Sequence, residues 1–218
     1  MKLLVKCMLV TGACVASCML AAGQTPAVNA APSGQMQATY RIDASQSRFM
    51  VHAHRGGFLW FKGHDHFVKV DQFSGDVQLT PTAISPASLT MTIDATSLGE
   101  TGADFTPEQK QIIKKELNEI VLETAKYPQI TFRSTDVTAK PDGTQFGVRI
   151  TGDITLHGVT RPIVIPATVS VEGDNLRSKG EFTLNRKDFG VKATTAGHGT
   201  VRVRHKLTFT FDIVARKA

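Results

Sequence analysis

The sequence predicts an all-β protein: about eight antiparallel strands, folded into a sandwich or closed into a barrel, with one helix packed at the side or end. Three observations carry this. From Tyr40 onward apolar and polar residues alternate with a period of two. Turn signals such as Gly56-Gly57, Pro141-Asp142-Gly143 and Glu172-Gly173-Asp174-Asn175 separate the alternating runs. One stretch alone, Pro107 to Lys126, has helical spacing.

The elements follow in chain order. Arg48 to His54 and Phe58 to Val70 read as two strands joined by a tight turn at Gly56-Gly57, and Phe73 to Thr80 as a third. In Ser88 to Leu98, Leu89, Met91, Ile93 and Ala95 oppose Thr90, Thr92, Asp94 and Thr96, so one face is dry and the other wet. That division marks antiparallel rather than buried parallel sheet. In the helical stretch Thr106 caps, Pro107 suits the first helical position and Gln109 completes a capping box. Ile113, Leu117, Ile120 and Val121 form its apolar stripe, and Pro128 stops it. Strands resume at Gln129 to Val137. Gly147 to Leu156 puts Val148, Ile150, Ile154 and Leu156 on one face. Ile163 to Val171, Leu176 to Leu184 and Val201 to Ile213 complete the set.

The first residues carry a different signal. Lys2 and Lys6 precede a short uncharged apolar stretch, Cys7 to Ala16, followed by small residues. This is the pattern of an export signal, and the stretch is too short to span a bilayer. Val15-Ala16-Ser17-Cys18 resembles a lipobox, which would place acylation on Cys18 and anchor the protein to a membrane. Cleavage after Ala21-Ala22-Gly23 is the other reading. On the lipobox reading residues 1–17 are the signal, 18–38 a Pro/Gly/Ala-rich tether and 39–218 the folded domain. All three cysteines, Cys7, Cys14 and Cys18, lie in or beside the signal, so the domain has no disulfide.

Without Lys2 and Lys6 there are 23 basic and 19 acidic residues, a net charge of +4. The charges are scattered, which fits an ordinary solvated surface and not a nucleic-acid partner.

Several segments together resemble one known family. Tyr40-Arg41-Ile42-Asp43 with Ser47 is similar to the first strand of the YceI-like exported bacterial proteins. Gly63-His64-Asp65-His66 matches a variant found in part of that family. Tyr127-Pro128-Gln129-Ile130-Thr131-Phe132 resembles its strand after the helix, and Gly152 to Val169 its signature segment. Phe182 to Gly190 resembles its late hairpin. The resemblance runs from about Tyr40 to Ala215. It implies a lipocalin-like antiparallel β-barrel with the helix beside it. It also implies an apolar tunnel for a long isoprenoid, of quinone or polyprenyl type, in a periplasmic protein without cofactor or general catalytic activity. The ligand would be carried, stored or used in stress protection, and a homodimer is a possible assembly.

Burying one methylene contributes about 0.8 kcal/mol, so an oily chain needs few polar anchors. The expected tunnel lining is Phe49 and Val51, Met91 and Ile93, Phe132, Ile150 and Ile154, Phe182 and Leu184, and Phe209 and Phe211. The opposing reading is that these residues fill a solid core, which would leave a closed, structural or stress-linked envelope protein.

Four histidines form two His-x-His pairs, His52/His54 and His64/His66. On a strand each pair shares a face, which suits a metal such as zinc or copper. A two-residue turn at Gly56-Gly57 would put His64 and His66 on the face of Phe49 and Val51, opposite His52 and His54. A single four-histidine site then requires a longer loop or a bulge. His64, Asp65 and His66 also read as a polar lip that grips a ligand head group, or as a hydrogen-bonded cluster that pins the strand. His157, at the bend before Gly158, reads as a tie for that turn. No nucleophile elbow, phosphate-cradling glycine loop or His-Glu-x-x-His occurs, and an enzyme is not expected.

Overall fold

The computed structural model describes residues 37–57, 60–193, 195–196 and 201–218. The export segment, Cys18 and the tether up to residue 36 lie outside the described residues, and Ala38, read as the end of the tether, opens the first strand.

The strands are β1 (Ala38–Ile42), β2 (Arg48–Gly56), β3 (His66–Val70), β4 (Phe73–Leu79), β5 (Ala87–Asp94), β6 (Leu98–Glu100), β7 (Gln129–Asp142), β8 (Gln145–Leu156), β9 (Val159–Glu172), β10 (Asn175–Asn185), β11 (Thr195–Ala196) and β12 (Val201–Lys217). All pairings are antiparallel. The order β1-β4-β5-β7-β8-β9-β10-β12 closes on itself because β12 also pairs β1. This is an eight-stranded antiparallel barrel, and closure leaves this ring without an edge.

Three strand paths are broken midway. β1 and β2 follow one path along β12, and β4 and β3 pair with them in turn. Asp43 makes the first break. Its Oδ1 accepts the N–H of Ser45 at 3.1 Å and of Gln46 at 3.3 Å, capping a 3-10 turn over Ala44–Gln46. Asp94 repeats the device between β5 and β6, accepting the N–H of Thr96 at 2.8 Å. Short polar side chains compete with the ladder for backbone donors, so they bend a strand without ending the sheet.

Later strands are long and regular. β8 turns Val148, Ile150, Ile154 and Leu156 inward, and β10 turns Leu176, Phe182 and Leu184 inward. Gly180 also lies on the inner face of β10. A Cβ there would stand 2.5 Å from Phe211 Cζ, so the aromatic ring rests on bare backbone. The β8–β9 hairpin turns on His157 and Gly158, both at positive φ (53° and 74°), as the tightest hairpin turns require.

Two segments depart from the pattern read in the sequence. Phe58 to Val70 is not one strand: a 3-10 turn covers Trp60–Lys62, and β3 begins only at His66. The connection from β2 is therefore longer than two residues. The helix α1 (Pro107–Glu116) has the expected capping box. The Gln109 N–H donates to Thr106 Oγ1 at 3.3 Å, and the Thr106 N–H to Gln109 Oε1 at 2.8 Å. It does not run on to Lys126. A widened turn over Leu117–Val121 follows, closed by the Leu122 N–H on the Leu117 carbonyl at 2.8 Å, and Glu123 at φ 46° breaks the rotation. The extra residue changes the stripe: Ile120 is 46% exposed while Ile113, Leu117 and Val121 face the barrel interior.

Candidate functional site

The dry faces do not meet in the middle. Two apolar cavities, of about 120 and 160 Å3, lie inside the barrel. Phe49, Ile93, Ile130, Ile154 and Phe182 line both, so they form a waist between two chambers. All eleven residues read as lining stand on these walls. Met91, Phe132, Ile150 and Phe211 face the first chamber. Val51, Leu184 and Phe209 face the second, and Phe49, Ile93, Ile154 and Phe182 the waist.

The chambers differ in chemistry. The first is walled by aliphatic and aromatic side chains, with Ser88, Thr131 and Ser178 as its polar residues. The second is roofed by Ile113, Leu117, Val121 and Leu122 from the helical segment, and His66, Glu116, Arg186 and Lys192 line it as well. Sequence reading named His66 for a polar lip but missed Glu116, Arg186 and Lys192. The helix residues were visible as an apolar stripe, but nothing in the strand period says which barrel end they close.

Arg186 is 9% exposed. Its guanidinium donates to the Val191 carbonyl at 2.8 Å, faces His205 Nδ1 at 3.1 Å and reaches the Arg204 carbonyl at 3.4 Å. Burial, and secondarily the Arg202 cation, push it below the ordinary arginine range. Among the described residues no carboxylate pairs with it. The β10–β12 ladder, which pairs Asn185 with Lys206, brings Arg186 beside His205, within the stretch where the β2–β12 register shifts between Val203 and Leu207.

The structure separates the three residues of the proposed lip. His66 lies on the cavity side, paired with Ala53 across β2–β3. Its Nδ1 donates to Glu100 Oε2 at 2.9 Å, and its ring stacks on Phe105 with centroids 5.1 Å apart. Glu100 has a side chain 0% exposed. Its Oε1 accepts the N–H of Gly102 at 2.6 Å and of Phe67 at 3.1 Å. Burial works against this charge, but His66 and the two N–H groups outweigh it and hold the carboxyl below its ordinary range. Asp65 points the other way, to the outer face, where Oδ2 lies 2.9 Å from His52 Nε2. Burial also opposes its charge, and the Arg55 N–H and His52 outweigh it, so this carboxyl too is lowered. His64 is exposed, 3.6 Å from Asp104.

The four histidines are likewise not one cluster. His66 shares the face of Val51, and His52 and His54 share the opposite one. The longer loop preserves this parity, because β2 and β3 pair in a register that keeps Ala53 opposite His66.

His157 ties its turn, as its position suggested. Its Nε2 bonds Glu123 Oε2 at 2.6 Å, and its ring lies 4.4 Å from that of Tyr127. A Cβ on Gly158 would stand 2.6 Å from the Tyr127 ring, so this glycine serves close packing as well as its positive φ.

Known proteins share this architecture. BcnA of Burkholderia cenocepacia superposes with a TM-score of 0.62 over 79% of this chain and 98% of its own, at 21% identity. A polyisoprenoid binding domain from Saccharophagus degradans, implicated in plant cell wall breakdown, gives 0.58 over 82% and 98%, at 16% identity. At these identities the likeness is one of fold. In sequence, a UPF0312 protein of Pseudomonas syringae pv. tomato is 41% identical over 102 residues, 44% of this chain; the chain spans 50% of that relative's length. A UPF0312 protein of Vibrio cholerae is 29% identical over 178 residues, 78% of this chain and 86% of its own. With the YceI-like domain profile matching residues 40–215, nearly the whole barrel, the chain belongs to the YceI-like family.

Proposed function

We propose that the protein is a periplasmic lipid-binding barrel, not an enzyme, that holds one long isoprenoid chain of quinone or polyprenyl type for carriage or storage. The observation that carries this reading is the pair of apolar chambers that share the five residues of one waist. Pockets for drug-sized ligands typically hold ~300–1,000 Å3. Neither chamber reaches that alone, and together they approach its lower end. An elongated, narrow ligand suits such a space better than a compact one. The polar residues of the second chamber give the ligand a direction: the tail crosses the waist into the first chamber, and the head group stays near Arg186 and His66. The polyisoprenoid binding domain of Saccharophagus degradans, alike in fold, supports the same ligand class.

Organic extraction of protein purified from a bacterial host, followed by mass spectrometry, tests the reading. An isoprenoid in near-stoichiometric amount is expected. Extracts free of lipid, or containing only straight-chain fatty acids, would overturn it.

The anchor is a separate proposal. Acylation at Cys18 would hold the barrel at the membrane through the Gln24 to Ala38 tether. Full-length protein is expected in the membrane fraction, and Cys18→Ser in the soluble one. Unchanged membrane retention of the variant would refute acylation there.

A further inference from the structure

The outer face of β2 carries a cluster that the isoprenoid reading does not use. His52 and His54 project from it two residues apart, with ring centroids 3.7 Å apart. Asp65, just before β3, brings Oδ2 to 2.9 Å from His52 Nε2 and 3.8 Å from His54 Nδ1. One donor atom from each residue falls within 4.8 Å of the others. We propose that His52, His54 and Asp65 form a binding site for a divalent transition-metal ion of the zinc class, separate from the barrel interior.

The donor set fits that class. Two imidazoles and a carboxylate, with no thiolate, suit zinc or copper(II) and are poorly matched to calcium or magnesium. Metal–donor distances of about 2.0–2.1 Å in a tetrahedron place donors roughly 3.3–3.5 Å apart. The two measured separations bracket that spacing, so small ring rotations admit an ion.

The supports behind the donors are in place as well. The His52 ring stacks on Phe67, with centroids 4.4 Å apart at 19°. His54 Nε2 lies 3.4 Å from Thr208 Oγ1, which leaves Nδ1 toward the site. Asp65 Oδ1 accepts the Arg55 N–H at 2.9 Å, which leaves Oδ2 toward the histidines. Partners of this kind orient ligands and commonly change metal affinity 10- to 100-fold.

One feature opposes the ion: Arg55 Nε stands 3.8 Å from Asp65 Oδ1. The site therefore contains a cation before any metal arrives, and affinity is lower than in a buried site. Three protein donors leave a fourth position to water, which makes the bound ion exchangeable.

The test uses the whole chain purified without a polyhistidine tag. Zinc chloride is titrated calorimetrically, and cobalt(II) is followed by its visible spectrum. One ion per chain is expected. His52→Ala, His54→Ala and Asp65→Asn should each weaken zinc binding at least tenfold, while His64→Ala leaves it within twofold. A second measurement needs no disruptive variant: zinc should raise the melting temperature of the wild type and leave that of Asp65→Asn unmoved. Wild-type protein that takes up no zinc, or His52 and His54 variants that bind as the wild type does, would overturn the proposal and leave an ordinary histidine–carboxylate pair.

Discussion

The Ile93→Phe/Ile154→Phe double variant is expected to fold, yet to emerge from purification with at least tenfold less bound isoprenoid than the wild type. Both residues line both chambers, so both stand at the waist. Enlarging them introduces no polar group, and the neighbouring cavities give the rings somewhere to go. The stability cost should therefore stay near the usual ~1–3 kcal/mol of added core volume. The ligand fares worse. Excluding a single five-carbon isoprene unit forfeits about 4 kcal/mol of gross transfer free energy, at about 0.8 kcal/mol per carbon. That corresponds to several hundredfold in affinity, since each 1.4 kcal/mol is a factor of ten. Extraction and mass spectrometry of the two proteins side by side give the answer. Equal lipid content would mean that the chain does not cross the waist.

Glu100→Ala should destabilise the fold by about 3 kcal/mol, since each buried donor left without its acceptor costs about 1–3 kcal/mol. The carboxylate is fully buried and accepts three hydrogen bonds. Its loss leaves the Gly102 and Phe67 N–H groups and the His66 ring without their acceptor, and unsatisfied buried donors cost more than intact bonds contribute. For a domain of this size the melting temperature should fall by roughly 6–12 °C, measured by circular dichroism. The same group gives stability a pH dependence of fixed sign. Its folded pKa lies below the ordinary 4.5. The stabilisation is therefore complete above that value and is lost as pH falls through the lowered one. Glu100→Ala should show a shallower acid-side loss. Some loss should persist, because Asp65 and Asp212 are shifted the same way.

How much of this was legible in the sequence depended on the range of the signal. Strand faces were legible, because burial on one side of a sheet imposes a period of two that any β8 or β10 residue displays. That period placed Phe182, Ile154 and Phe132 inward without coordinates. The helix start was legible for a local reason: Thr106 and Gln109 satisfy each other's backbone within one turn. Features set by tertiary partners were not. Asp65 reads like a companion of His64 and His66, yet alternation sends it outward to His52. Glu100 gives no sign in sequence that two backbone donors and a distant histidine converge on it. Arg186 resembles any polar residue after a strand until its guanidinium is found buried on the Val191 and Arg204 carbonyls.

The long β12 also sets an order in time. One side of these 17 residues meets β10, and the other meets β1 and β2 in succession. The seam of the barrel thus joins its first strands to its last, with Tyr40 beside Lys217 and Phe49 beside Phe211. A growing polypeptide cannot zip that seam until β12 has been synthesised. Such distant pairings fold slowly. No sealed interior exists before then, so whatever occupies it must enter a closed barrel or be enclosed during the last step of closure.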